Sequence, residues 1–340
     1  MNLNYKIAHI SDTHIRNLKY HKEYRAVFKK IYESLREQKP DAIVHCGDLA
    51  HTKVHLSPEY FDLASDFLKN LADIAPLIII PGNHDGNLRN TARQDAITPL
   101  VTALDHKHIH LLRDSGEYVW DSNIVFNVLS VFDPENWVKP TREDKINIAL
   151  YHGSISGCET SLGWVMEHGE NDVSIFEGHD YAMLGDIHKT NQILDDHGRV
   201  RYVGSTIQQG HAEELDKGYL LWTINSKDDW DVELFTFRNP KPFITIELTQ
   251  KGRIPRNTKI PFGARVRVVA NTKLPVETIR KATDVVRTRF KPESLTFLNR
   301  AGVSLSSSHT GDITEQNLRD VQVQQELIRD YLKDYEPSEE

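Results

Sequence analysis

The chain has 340 residues, of which 39% are hydrophobic and 26% are charged, enough apolar material for one large domain with an appendage. Its formal net charge of −8 excludes the overall basic composition of an obvious nucleic-acid-binding protein, although acidic residues in a metal site would contribute to that value. The two cysteines imply no disulfide framework. With no signal-peptide stretch and no apolar run near the ~20 residues of a membrane helix, we expect a cytoplasmic protein without membrane contact.

The first 150 residues alternate between strand-like and helix-like patterns. Short apolar runs at residues 6–10, 41–45 and 77–80 predict buried strands, and the amphipathic segments 24–35 and 59–71 predict the helices between them. This βαβ order predicts an α/β core.

Later segments are richer in strands, so we predict two packed mixed β-sheets flanked by helices rather than one parallel sheet. The extended segments are residues 109–112, 124–129, 146–151, 181–184, 201–203, 219–224 and 232–237.

Pro240 and Pro242 mark a domain boundary, because two prolines interrupt any regular element. We therefore predict a main domain over residues 1–238 and a small α+β cap over 239–300. Residues 301–340 are predicted to form a serine-rich linker and a final amphipathic helix, which begins near residue 314.

Polar clusters follow five of the predicted strands, and binding sites in α/β folds form at the carboxyl ends of strands. The candidate metal ligands in these clusters are Asp12, His14, Asp48, Asn83, His152, Asp186 and His188. Imidazole, carboxylate and amide groups without thiolate suit Mn²⁺, Fe²⁺ or Zn²⁺, and Mg²⁺ is also compatible with the oxygen ligands. Seven ligands exceed one tetrahedral centre, so we predict two divalent ions that share a carboxylate. Such a pair can activate water for phosphoester hydrolysis.

Glycines next to the ligands support this interpretation. Gly47, Gly82 and Gly185 stand at turns where positive φ or close backbone approach is expected. Asp85 follows His84 directly and is predicted to orient its imidazole.

Each cluster alone has an ordinary explanation. A single Asp-x-His or Gly-Asp match carries little information, whereas Gly82-Asn83-His84-Asp85 after an isoleucine-rich strand is much more specific. Five clusters in one order make chance agreement improbable. Most of the 17 histidines are predicted bystanders, including His106, His108, His110 and His179.

These motifs resemble the calcineurin-like metallophosphoesterase superfamily over residues 5 to 225. Within it, the Gly-Asp-Leu-Ala-His run at 47–51 and the segment 180–188 resemble the SbcD-type DNA repair nucleases. Further similarities are Gly204-Ser205 in the segment 201–205, Gln208-Gln209 and Lys217-Gly218-Tyr219. The chain is thus similar to a compact phage or bacterial version of that nuclease subunit, which for a phage would imply the host cytoplasm.

The resemblance implies a division of the ligands. Asp12, His14, Asp48 and His188 would hold one ion, and Asp48, Asn83, His152 and Asp186 the other. His84 would donate a proton to the leaving oxygen or stabilise the phosphate, and His51 would help to place the phosphate or the DNA end. Asp186 stands where the family usually has histidine, which leaves the native metal open.

The resemblance also implies function and partners: a Mn²⁺-dependent DNA exonuclease and endonuclease subunit for repair, recombination or replication. Its partner would be an SbcC-like coiled-coil ATPase that binds the C-terminal helix, and a homodimer is expected. The cap would face DNA through a basic helix, although an ordinary solvated helix face explains its charges as well. Those residues are Arg280, Lys281, Arg287 and Arg289. The alternatives are a metal-dependent phosphatase or cyclic-nucleotide phosphodiesterase, and a non-catalytic scaffold for the ATPase.

Overall fold

The computed structural model describes residues 3–54 and 56–300. Over these ranges, no helix is both long enough and apolar enough to cross a bilayer. The predicted C-terminal helix and its partner contact lie outside the described residues.

The first sheet has six strands in the order β12-β11-β1-β2-β3-β4. Strands β1 to β4 run parallel to one another. On the other side of β1, β11 pairs antiparallel with β1, and β12 pairs antiparallel with β11. The strands are β1 (Tyr5–Ile10), β2 (Ala42–Cys46), β3 (Leu77–Ile80), β4 (Ile109–Leu111), β11 (Asp216–Ile224) and β12 (Trp230–Arg238).

The second sheet also has six strands, in the order β5-β6-β7-β8-β10-β9. β6, β7, β8 and β10 are parallel, whereas β5 and β9 pair antiparallel at the two edges. The strands are β5 (Gly116–Val119), β6 (Ile124–Leu129), β7 (Ile146–His152), β8 (Tyr181–Gly185), β9 (Gln192–Ile193) and β10 (Val200–Tyr202).

Alternation along the strands creates the layers of the core. In β1, Ile7 faces the second sheet and packs with Phe126 and Met183, while Ala8 and Ile10 face the helices. The helices α1 (His21–Gln38) and α2 (Pro58–Ala72) cover that outer face, and their aromatic rings Phe28 and Phe67 stack 4.1 Å apart. The predicted architecture of two packed mixed sheets flanked by helices is confirmed.

A third sheet follows the proline-containing segment 239–242. It consists of three parallel strands, β13 (Phe243–Glu247), β14 (Arg265–Ala270) and β15 (Ser294–Asn299), with the helix α4 (Val276–Phe290). Their apolar residues form a separate small core. The exact domain boundaries remain a prediction, although β12 ends at Arg238 and β13 begins at Phe243.

Apart from three short 3₁₀ helices, one α-helix and two strands of the described residues were absent from the sequence prediction. The helix α3 (Thr98–Leu104) buries only Leu100, β5 buries none of its residues fully, and β9 has only two residues. Because each element contributes little to the core, none has an apolar repeat long enough to be recognised.

Candidate metal centre

Every predicted ligand lies at the carboxyl end of a strand or in the turn that follows it. The turns after β1, β2 and β3 carry Asp12, Asp48 and Asn83, and the parallel pairing of these strands brings the turns to one edge. His152 is the last residue of β7, and Asp186 follows β8. The two sheets therefore present their ligands at the same edge of the sandwich.

Four ligand residues have left-handed backbone conformations, which are uncommon for residues other than glycine. The φ angles are 51° at Asp12, 44° at His14, 57° at Asp48 and 96° at Asp186. Such conformations persist only where the surrounding structure imposes them, and they cluster at functional sites.

Glycines allow the ligand turns to approach one another. Gly47 has φ 88°, and a Cβ atom there would lie 2.5 Å from His152 Nδ1. A Cβ at Gly82 would collide with the Asp48 carboxylate, and one at Gly185 with the carbonyl oxygen of Cys46. Close approach is therefore the reason for glycine at the last two positions.

The first half of the centre contains Asp12, His14, Asp48 and His188. His14 Nε2 lies 3.4 Å from Asp48 Oδ2, 3.8 Å from Asp12 Oδ1 and 3.0 Å from His188 Nε2. His188 Nε2 is 3.9 Å from Asp12 Oδ1. Ligands that share an ion at about 2.0–2.2 Å stand roughly 3–3.5 Å apart, so these atoms nearly have the spacing of a coordination shell.

The second half contains Asp48, Asn83, His152 and Asp186. His152 Nε2 lies 3.3 Å from Asp48 Oδ1 and 3.7 Å from Asp186 Oδ1, and the Asn83 amide donates to Asp186 Oδ1 at 3.0 Å. Asp48 thus directs Oδ2 to the first half and Oδ1 to the second, as a bridging carboxylate does.

The donor set fits two divalent cations. His152 Nε2 is buried and has no hydrogen-bond partner within residues 3–54 and 56–300, yet it faces two carboxylates. Asp12, Asp48 and His152 form one group of converging ligand atoms, and Asp12, His14 and His188 form another. Two divalent cations bind to converging carboxylate and imidazole groups of this kind.

Burial and neighbouring charges shift the pKa values of the ligand groups. Burial raises the pKa of Asp12 to about 6. Burial would also raise the pKa of Asp48, but His152 and His14 hold it well below its usual range. Burial lowers the pKa of His14 well below its usual value. Cation binding would displace the remaining protons.

Hydrogen bonds on the opposite ring nitrogens orient two of the histidine ligands. His152 Nδ1 donates to the Cys46 carbonyl at 2.7 Å, and His188 Nδ1 donates to Glu213 Oε1 at 2.7 Å. Both bonds direct Nε2 toward the carboxylates. Sequence reasoning missed Glu213. Its only signal was its position between Gln208-Gln209 and Lys217-Gly218-Tyr219.

His84 and His51 lie beside the first half, on the solvent side. The His84 ring is 4.8 Å from the His14 ring and 6.0 Å from the His51 ring, measured between centroids. His84 Nδ1 donates to the His51 carbonyl at 2.7 Å, and its backbone N–H donates to Asp48 Oδ1 at 2.8 Å. The structure thus brings both predicted catalytic histidines to the metal ligands.

Asp85 has a different set of partners from the one we predicted. Its carboxylate accepts hydrogen bonds from the backbone N–H groups of Gly82, Asp48, Leu49 and Ala50, at 2.8–3.3 Å. Four backbone donors occupy both oxygens. Asp85 therefore fixes two ligand turns against each other, whereas the His84 imidazole donates to the His51 carbonyl.

The predicted DNA-binding residues lie in the third-sheet unit. Arg280, Lys281, Arg287 and Arg289 are all exposed on α4, and Arg287 pairs with Asp284 at 2.8 Å. Their role stays a prediction.

The predicted bystander histidines have other partners. His179 Nδ1 donates a hydrogen bond to the Phe176 carbonyl. His106 Nε2 lies 3.5 Å from Asp73 Oδ1, and the His110 ring packs edge-on against the Trp120 ring.

Comparison with known proteins identifies a family for this chain. The family described as calcineurin-like phosphoesterase matches residues 5–222, a span that includes all seven ligands. The uncharacterized protein R555 of Acanthamoeba polyphaga mimivirus is 38% identical over 278 residues, which are 77% of this chain. The chain spans only about a fifth of that relative (20%).

Two solved structures are similar at low identity. The protein TT1561 of Thermus thermophilus has a TM-score of 0.43 and 12% identity, and a dimetal phosphatase from Danio rerio has a TM-score of 0.42 and 10% identity. Each similarity covers 67% of this chain and 98% of the other.

Proposed function

This chain belongs to the calcineurin-like phosphoesterase family, whose members hydrolyse phosphoester bonds with metal ions, and we propose that its substrate is the phosphodiester backbone of DNA. Mn²⁺ is the ion we expect, in an SbcD-type nuclease subunit. The two ions would supply Lewis-acid activation of water and would neutralise charge on the phosphate.

The residues of the chain supply orientation and proton transfer. Because His84 Nδ1 donates to the His51 carbonyl, Nε2 is the ring nitrogen that exchanges a proton with the leaving oxygen. The bond also fixes His51 next to His84. The two imidazoles would then receive the scissile phosphate at the solvent side of the ligands.

The observation that carries the DNA proposal is a basic loop of the third sheet, residues 248–264, between β13 and β14. It contains four cations and no acidic residue in a chain with a net charge of −8. The side chains of Arg253, Arg256 and Lys259 are exposed, and Phe262 is 87% exposed. Cations contact phosphates and an exposed aromatic ring stacks on bases, so this loop suits a nucleic acid better than a small phosphoester.

The loop ends at a strand that contacts the main domain, since Arg265 of β14 bonds Glu23 of α1. It ends at β14, beside Phe243, whose ring lies 5.8 Å from the guanidinium of Arg16. Arg16 donates to the Gln209 carbonyl and follows the ligand His14 by two residues. A nucleic acid on the loop would have to extend along this junction to reach the catalytic histidines.

The test compares two substrates with Mn²⁺. Purified protein should cleave linear duplex DNA, and Arg256→Gln with Lys259→Gln should lower that activity about tenfold or more while cleavage of a small chromogenic phosphodiester stays unchanged. Lys107→Gln, in an exposed loop of the first sheet, is the matched control. Activity confined to the small ester would contradict the DNA proposal and favour a phosphatase or cyclic-nucleotide phosphodiesterase.

We also propose an SbcC-like ATPase as the partner, on the resemblance to the SbcD-type nucleases. The sequence contains no Walker A loop, so ATP binding would be a property of that partner. Truncation after residue 300 should abolish co-purification with such a partner and leave cleavage of the small ester intact. Retained co-purification would place the contact elsewhere.

A further inference from the structure

A buried carboxylate stands behind the ligand His188. The Glu213 side chain is 7% exposed, and its Oε1 accepts from His188 Nδ1 at 2.7 Å. Its Oε2 accepts from Ser205 Oγ at 3.0 Å and from the Gln209 backbone N–H at 2.8 Å. The carboxylate therefore has defined donors at both oxygens.

A buried cation supports this carboxylate. Lys217 is fully buried, and its Nζ lies 3.9 Å from Glu213 Oε2. Lys217 also donates to the His188 carbonyl and to Glu214 Oε2, the latter at 2.7 Å. The lysine thus contacts both the backbone of the ligand and the side chain that orients its ring.

The two halves of the centre differ in this respect. His152 Nδ1 donates to a neutral carbonyl of Cys46, whereas His188 Nδ1 donates to an anionic carboxylate. A carboxylate acceptor fixes the tautomer more strongly and makes the opposite nitrogen a better electron donor to a metal. His188 should therefore bind its ion more strongly than His152 does.

We propose that Glu213, supported by Lys217, is a positioning residue that directs His188 Nε2 to the first ion and strengthens that bond. Glu213 touches neither substrate nor metal. It acts through His188, so its effect is confined to the site of Asp12, His14, Asp48 and His188.

The first test is Glu213→Gln in the full chain, titrated with Mn²⁺ by calorimetry. The amide is isosteric but uncharged, so affinity at one of the two sites should fall about 10–100-fold while the other stays within about twofold. The visible spectrum of the Co²⁺-loaded protein should change as well, since it reports ligand geometry.

Glu214→Gln is the matched control. Glu214 is the neighbouring acid and bonds the same Lys217, but its side chain is 44% exposed and does not contact His188. This variant should keep the affinity of both sites. An equal loss of Mn²⁺ affinity in Glu214→Gln and Glu213→Gln would overturn the proposal. It would show that the loss comes from the removal of a negative charge near the site and not from the contact with His188.

A double-mutant cycle separates positioning from a purely structural role. In a His188→Ala background, Glu213→Gln should have no further effect on Mn²⁺ affinity. If Glu213 only anchors residues 205–209, its replacement would lower the melting temperature of the chelated protein and leave both Mn²⁺ affinities unchanged. That result would also overturn the proposal.

Discussion

Asp48 connects more of the centre than any other residue. Its two oxygens face different halves, and its backbone N–H donates to Asp85 at 2.8 Å. His84 differs, because it contacts the ligands His14 and Asp48 but lies at the rim. Substitutions at these two positions should therefore separate metal binding from chemistry.

His84→Gln should abolish cleavage and retain most of the metal. Glutamine keeps polarity but cannot transfer the proton, so the rate should fall by a factor of about 10²–10⁴. Metal analysis by plasma mass spectrometry should still find two ions per chain. Loss of both ions would assign His84 to metal binding.

Asp48→Ala should empty both halves, because each half would lose the Asp48 oxygen that faces it. Plasma mass spectrometry after Mn²⁺ saturation should find close to zero metal ions per chain. Asp62→Ala removes an exposed carboxylate paired with Arg25 and serves as the control with full metal content. One retained ion would show that Asp48 serves a single site.

At the scale of elements, a buried ion pair joins the third sheet to the main domain. Arg265 of β14 donates two hydrogen bonds to Glu23 of α1, at 2.6 and 2.8 Å, and both side chains are under one-tenth exposed. The Gln208 side chain adds a second junction, since it exchanges two hydrogen bonds of 2.9 Å with the Phe243 backbone.

Arg265→Met should destabilise this junction by about 3–5 kcal/mol, because it leaves Glu23 buried without its cation. The expected measurement is earlier cleavage in the segment 239–242 by limited proteolysis and a lower urea midpoint. Arg238→Met is the control, since its pair with Asp216 is exposed and exposed ion pairs contribute little to stability. Equal effects of the two variants would contradict the anchoring role.

The elements that sequence could predict are those with a strong apolar repeat. In α1, Tyr24, Phe28, Ile31 and Leu35 follow helical spacing, and all are buried. The ligands were predictable for a related reason: each follows such a strand. Glu213 was not predictable, because its role depends on a contact with a residue 25 positions away that no local pattern encodes.

At the scale of the whole molecule, two neutral histidines buried in the first sheet link stability to pH. Burial lowers the pKa of His9 and of His45 to about 3. An unfolded chain binds those protons near pH 6.5. The stability that these two neutral histidines contribute to the fold is therefore complete above pH 6.5, and it is lost as the pH falls toward 3.

When the pH is lowered from 6 to 5, the free energy of unfolding should fall by up to about 1.4 kcal/mol for each of the two histidines. Urea unfolding of the chelated protein at both pH values measures the slope. His9→Met, which cannot titrate, should reduce the slope by about half of the histidine contribution. An unchanged slope would mean that His9 is charged in the native state.

The left-handed turns at Asp12, His14, Asp48 and Asp186 have a consequence for evolution. Conformations of this kind cost about 1–3 kcal/mol each, and glycine would adopt them without that cost. Selection for hydrolysis therefore opposes selection for a more stable fold at these four positions. A descendant that no longer needed to cut phosphoesters would be expected to accumulate glycine or asparagine there first, and to melt at a higher temperature than its active ancestor.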